Sequence, residues 1–141
     1  KVSEFAKLIG ESEELEPEKL HILRTAAIVH DIGIKISEKK YGSSGGKYQE
    51  KEGPAVAEPM LCALGYDEAV IDRVLFLIAH HHTYTGIEGE DYQILVEADF
   101  LVNLFEDGSS RETAEKVREN IFKTKTGMKY LETLFLTERR S

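Results

Sequence analysis

Ala26-Ala27-Ile28-Val29-His30-Asp31-Ile32-Gly33 is the stretch that decides how this chain folds. It closes a segment, Leu20 to Val29, that is apolar on nearly every side, the pattern of a helix surrounded by others. Ala26 and Ala27 allow neighbours to approach closely. Adjacent residues on a helix point about 100° apart, so His30 and Asp31 can share one ion only near a helix end. Gly33 supplies such an end at the right place. An imidazole and a carboxylate suit several divalent metals. A lone His-Asp dipeptide is a weak pattern, however, and the alternative is a hydrogen-bonded core imidazole followed by a C-terminal carboxylate.

Outward from this stretch, helical periodicity dominates and strand-like alternation never persists. Val2, Phe5, Ala6 and Ile9 lie at helical spacing, with Gly10 expected to end that helix, and Pro17 fits the first turn of a second running to about Ile32. Residues 34–49 lose the period and carry Gly42-Ser43-Ser44-Gly45-Gly46, which reads as a mobile loop and a candidate lid. From Glu50 to Leu64 the pattern is helical but crossed by Pro54 and Pro59, so a late start and a kink are expected. Gly65 caps it, and Asp67 opens a helix from Glu68 to about His81. A polar loop, a helix from Tyr92 to Glu106, a capping box at Ser109-Ser110-Arg111-Glu112 opening a helix to about Phe122, and a short helix from Met128 to Phe135 complete the chain. The expected fold is all-α, a single-domain bundle of about six to seven helices over residues 1–141.

Composition sets the limits. The chain has 141 residues, enough for one hydrophobic core, and is 41% hydrophobic and 31% charged. Its longest apolar run, Val74 to Ala79, is far short of the roughly 20 residues that a membrane-spanning helix needs. The lone Cys62 cannot form an internal disulfide, which points to a reducing, cytoplasmic setting; its apolar neighbours mark it as a small core residue. The formal net charge of −8 argues against a polymeric nucleic-acid partner, but not against a small phosphorylated molecule.

Three further groups carry chemistry. Asp99 shares its helical face with Leu95 and Val102, and a carboxylate on an apolar stripe needs a cation or many donors. A metal would serve; so would a helix cap, or pairing with Arg24 or Arg73. The run His80-His81-His82 ends an apolar helix, with His81 in phase with Val70, Val74 and Ile78 and hence facing inward. Such a His can be a ligand, a phosphate contact or a buried imidazole; the lone His21 reads as structural or surface. Lysines 35, 39, 40, 47 and 51 cluster around the glycine-rich loop, and only Lys35, four residues after Asp31, is placed to meet a substrate phosphate. Tyr41, Tyr84 and Tyr92 lie in or beside loops and are candidates for stacking on a base.

Together these residues resemble the HD superfamily of metal-dependent phosphohydrolases, from Lys1 to about Asp107. The resemblance implies an all-helical bundle with metal ligands in the order His, His-Asp, Asp, and an ion that activates water against a phosphoester. It carries His30, Asp31 and Asp99 over as ligands. The first His of the pattern has no counterpart: His21 is too close to His30, and the matching position falls before Lys1. Since the chain opens in mid-helix, a preceding N-terminal segment is expected. Some members hold two metals, and by that likeness Asp31 with Glu52, His80 and His81 would form a second site. The implied cofactor is one divalent transition ion or two, with iron, manganese, nickel and zinc all suited to such ligands.

The resulting expectation is hydrolysis of a small phosphomonoester or phosphodiester, a nucleotide among the candidates. Lys35 would neutralise developing charge, Glu52 would orient water or hold the second ion, and His80 or His81 would contact the phosphate. The competing expectation is a catalytically degenerate module that binds a metal or nucleotide as a sensor.

Overall fold

Helix-forming periodicity closes into a bundle whose most buried member is not the one the sequence suggests. The structure, a computed structural model, describes residues 1–136. It contains α1 (Val2–Ser12), α2 (Pro17–Val29), α3 (Ile34–Tyr41), α4 (Gly46–Ala63), α5 (Glu68–His80), α6 (Glu90–Glu106), α7 (Arg111–Asn120) and α8 (Lys125–Leu131), followed by a π-helical turn, Glu132–Leu136. No strand occurs among the described residues, and no helix among them is long and apolar enough to cross a membrane. The last five residues of the expected 1–141 span lie outside the described residues.

The core runs along α6. Every residue from Asp91 to Asp99 is buried, including Ile94, Leu95, Val96 and Ala98 at zero exposure. Against it pack α1 and α2, with Ala6, Ile9, Leu23 and Ala26 in the core; α5 lies on α2 and α4 on α5, adding Val74, Leu77, Ile78, Ala57 and Leu61 to the same cluster. Burying each large aliphatic side chain is worth about 1.5–3 kcal/mol, which is what holds the helices together. By contrast α2 keeps one face open, with Ile28 64% exposed beside a cavity described below.

Several local expectations need correcting. The eighth helix is α3, which forms within the segment expected to be a loop; only 42–45 remain between it and α4. Its exit is a left-handed Gly42 whose amide bonds back to Glu38. Gly10 lies buried inside α1 against Leu20 and Leu23 and does not end it. Pro54 and Pro59 sit inside α4, which starts earlier than expected and runs on through both. Each removes a single backbone donor, a cost that packing of α4 along α5 offsets. The cap of α7 is Ser110, accepting from the Thr113 amide. Cys62, expected in the core, is exposed on α4.

A buried carboxylate attaches the C-terminal helices. Glu97 is fully buried on α6 and accepts from Gln93 Nε2 at 2.6 Å, the Lys123 and Thr124 amides at 2.8 and 3.0 Å, and Thr124 Oγ1 at 2.6 Å. It thus satisfies amides where the chain enters α8, as Glu13 does for Thr126. Glu97→Ala should therefore strand those donors and cost about 3 kcal/mol. Urea denaturation should show a lower midpoint at unchanged slope; a midpoint like that of the parent chain would contradict this role.

Candidate metal centre

Four elements bring their ends or middles to one place. Helix α2 stops at Val29, His30 caps it, and residues 30–33 turn before α3. The turn can lie against α4 because Gly33 has no side chain: a Cβ there would sit 2.8 Å from the Gly53 amide nitrogen. At the other end of the same contact, a Cβ on Gly46 would lie 2.8 Å from His82 Cβ, so the first turn of α4 abuts the histidine run. Two glycines thus let α4 close on the site from both sides.

Asp99, from the middle of α6, is 5% exposed. Its neighbours are imidazoles: His30 Nε2 lies 3.5 Å from Oδ1, and His82 Nδ1 lies 4.0 Å from Oδ2. Neither arginine raised as a partner fills that role. Arg24 is exposed, and Arg73 is held by both oxygens of Asp91, at 2.8 and 2.9 Å.

The three consecutive histidines have separate fates. His80, the last residue of α5, stacks on Phe76 with ring centroids 4.2 Å apart, and its Nδ1 donates to the Phe76 carbonyl at 2.8 Å. His81 is fully buried; its Nδ1 donates to the Ile78 carbonyl at 2.8 Å, and its Nε2 has no partner. His82 has left the helix: its amide donates to Glu50 at 2.9 Å, and Tyr92 Oη, near the His80 and Thr83 carbonyls, fixes the turn. The pair that meets Asp99 is therefore His81–His82, not the expected His80–His81. The i, i+4 relation of Phe76 to His80 is the sequence signal that would have set His80 aside.

Tautomers follow from these partners, because a carbonyl can only accept. His30 repeats the His81 arrangement, its Nδ1 donating to the Ala27 carbonyl at 2.7 Å. The His81 Nε2 is thereby left bare, whereas the His30 Nε2 faces Asp99. A ligand atom from each of His81, His82 and Asp99 lies within 4.8 Å of the others, the one such group among the described residues. His30 joins this group through its contact with Asp99.

Electrostatics bind the set together. For His30, burial favours the neutral ring, but the Asp99 hydrogen bond and charge outweigh it and hold the pKa above its ordinary value. The Asp99 carboxyl is held low: burial works against this, and the contact with His30, then His81 and His82, prevails. Burial first, and then the neighbouring His82, push the His81 pKa well down. The His82 pKa is also lowered, by burial despite Asp99 and Glu50.

A cavity of about 540 Å³ opens here, lined by His30, Asp31, Gln49, His82, Asp99 and Asn103 among others. Asp31 is exposed at its wall, on the turn beside His30. Two expected residues are elsewhere. Lys35 is exposed on α3 and does not line the cavity. Glu52 is buried against α3, accepting from Tyr41 Oη at 2.6 Å and Lys40 Nζ at 3.3 Å, and the Tyr41 hydrogen bond first of all holds its pKa low. The expected second-ion set of Glu52, His80 and His81 is accordingly not assembled. Of the three tyrosines, Tyr41 serves Glu52 and Tyr92 the turn, whereas Tyr84 Oη lies 3.5 Å from His82 Nδ1. Burial, then Asp99 and Glu50, push the Tyr84 pKa up to about 12. The residues that sequence reasoning missed are His82, Gln49 and Glu50, none of which declares its role by spacing.

The donor set fits a divalent ion: imidazole nitrogens and a carboxylate, with a buried Nε2 on His81 that nothing else in the structure satisfies. Comparison with known proteins agrees in kind. The family model described as HD domain matches residues 1–123. No curated protein matches the chain, and no solved structure matches it.

The His30–Asp99 pair yields a pH prediction for the metal-free chain. His30 binds its proton more tightly folded than unfolded, so the pair stabilises the fold below the ordinary value of 6.5. That contribution disappears as pH rises through the raised folded pKa. Asp99→Asn removes the carboxylate that raises the His30 pKa, so an NMR titration should find His30 shifted down from its value in the parent chain. An unmoved titration would contradict the pairing.

Proposed function

This chain belongs to the HD domain family, and we propose that it is a metal-dependent phosphohydrolase acting on a small phosphomonoester or phosphodiester, with nucleotides among the candidates. The observation that carries the proposal is the unpartnered, buried Nε2 of His81 beside His82 and Asp99. A polar nitrogen left bare in a core costs about 1–3 kcal/mol unless something binds it, and a divalent ion fits its neighbours. His30, His81, His82 and Asp99 are assigned as ligands, with Asp31 at the wall of the same cavity.

When bound, a divalent ion supplies Lewis acidity towards phosphoryl oxygens and makes water more acidic. The protein's own groups do the rest. The Ala27 and Ile78 carbonyls orient His30 and His81 so that each presents Nε2. Tyr84 keeps its phenolic proton at neutral pH and can donate it in a hydrogen bond beside His82. Val2, Ala27, Ile34 and Val102 give the cavity apolar walls, with Asn103 as a polar contact for the organic part of a substrate. The volume, about 540 Å³, is that of a small-molecule pocket.

The sensor alternative keeps one specific support: Lys35 and Glu52, expected to act on the phosphoryl group, stand away from the cavity. Both proposals require the ion, and only the first requires turnover.

Equilibrium dialysis against manganese and zinc should load about one ion per chain, and Asp99→Ala should abolish loading together with any hydrolysis of a chromogenic phosphodiester or of nucleotides. Loading should release protons chiefly from His30, whose pKa is held above its ordinary value, and not from His81, whose pKa is pushed well down; affinity should therefore fall as the pH drops. Metal retained by Asp99→Ala would refute the assignment, and a loaded chain inert towards a broad phosphoester panel would favour the sensor.

A further inference from the structure

His82 differs from the other two imidazoles at the site in how it is held. His30 and His81 each donate from Nδ1 to a carbonyl of their own helix turn. His82 lies beyond the end of α5 and has no such carbonyl partner for its ring. Its Nε2 faces Gln49 Oε1 at 3.2 Å, across from α4. The identity of that amide oxygen is fixed from its other side: Gln49 Nε2 donates to the Ser44 carbonyl at 2.6 Å, which only a nitrogen can do. Gln49 Oε1 must therefore accept, so the His82 proton is on Nε2. The unprotonated nitrogen is Nδ1, the atom that lies 4.0 Å from Asp99 Oδ2 and 3.5 Å from Tyr84 Oη.

We propose that Gln49 is a positioning residue that commits His82 to bind the ion through Nδ1, opposite in tautomer to His30 and His81. This rests on the assignment of His82 as a ligand under Proposed function. Two neighbouring features fix where Gln49 stands. Glu50 takes the His82 amide at 2.9 Å and the Thr83 hydroxyl at 2.8 Å, locking the backbone of the turn while Gln49 sets the ring. Gly46, one helical turn earlier, allows α4 to come within contact of His82 Cβ. Gln49 also lines the cavity, so the arrangement is reachable by solvent ions. An outer hydrogen bond of this kind fixes ring orientation, and its loss typically weakens metal binding 10–100-fold.

The test compares Gln49→Leu, which cannot accept, with Gln49→Glu, which can. In the metal-free parent chain, long-range ¹⁵N–¹H NMR should show His82 as the Nε2–H tautomer and His81 as Nδ1–H. Gln49→Leu should lose the His82 preference, leave His81 unchanged, and bind zinc about 10–100-fold more weakly. Gln49→Glu should keep both the tautomer and an affinity within a few-fold of the parent. A merely structural role would instead lower the melting temperature without altering the tautomer. Parental His82 found as Nδ1–H, or Gln49→Leu binding zinc like the parent, would overturn the proposal. Failure of the parent chain itself to bind zinc would instead sink the metal assignment beneath it, and is read separately from the tautomer.

Discussion

A carboxylate placed on the most buried helix of a bundle must be compensated, and the way Asp99 is compensated organises the rest of this structure. Helix α6 is enclosed from Asp91 to Asp99, so water cannot solvate the charge and a buried ionised carboxylate is costly without partners. Here the partners are imidazoles, His30 from the end of α2 and His82 from beyond α5, with His81 beside them. Imidazoles serve two conditions at once. Protonated, they neutralise Asp99; neutral, they turn the same cluster into a set of lone pairs for a cation.

That arrangement constrains the backbone around it. The ends of α2 and α5 must both reach α6, so both helices stop where their histidines start, and carbonyls of the final turns orient the rings. Helix α4 closes the remaining side, which demands the absence of side chains at Gly33 and Gly46. The Glu50 carboxylate and the Tyr92 hydroxyl then hold the 80–83 turn. None of these residues need touch substrate. Their common effect is rigidity: the site is assembled on helix ends that the core already fixes, the condition under which ligands keep their geometry without an ion.

How much of this the sequence disclosed depends on the kind of signal involved. The all-α class and most helices follow from a local pattern, the 3.6-residue apolar period, while local patterns marked His30 and Asp99 only singly and the HD resemblance put them in one site. The HD resemblance drawn from those residues agrees with the family match over residues 1–123. What failed was contact between elements. Helix α3 was hidden because its polar surface, Lys35, Glu38, Lys39 and Lys40, leaves little apolar period. The choice between His80 and His82 depended on where α5 stops, a boundary that tertiary capping decides, not propensity. Lys35 was placed by its spacing from Asp31 and Glu52 by the likeness to two-metal members, whereas α3 turns Lys35 outward and Tyr41 claims Glu52. Gln49 could not be read at all, since its role exists only across the interface between α4 and the turn after α5.

The central claim is that the cluster of His30, His81, His82 and Asp99 is a metal centre and not merely a satisfied buried carboxylate. Anomalous diffraction at the manganese edge, on crystals of the chain equilibrated with manganese, tests it most directly. The account predicts a single strong peak among those four side chains. No peak there, or a peak at Glu52 and His80 instead, would contradict it.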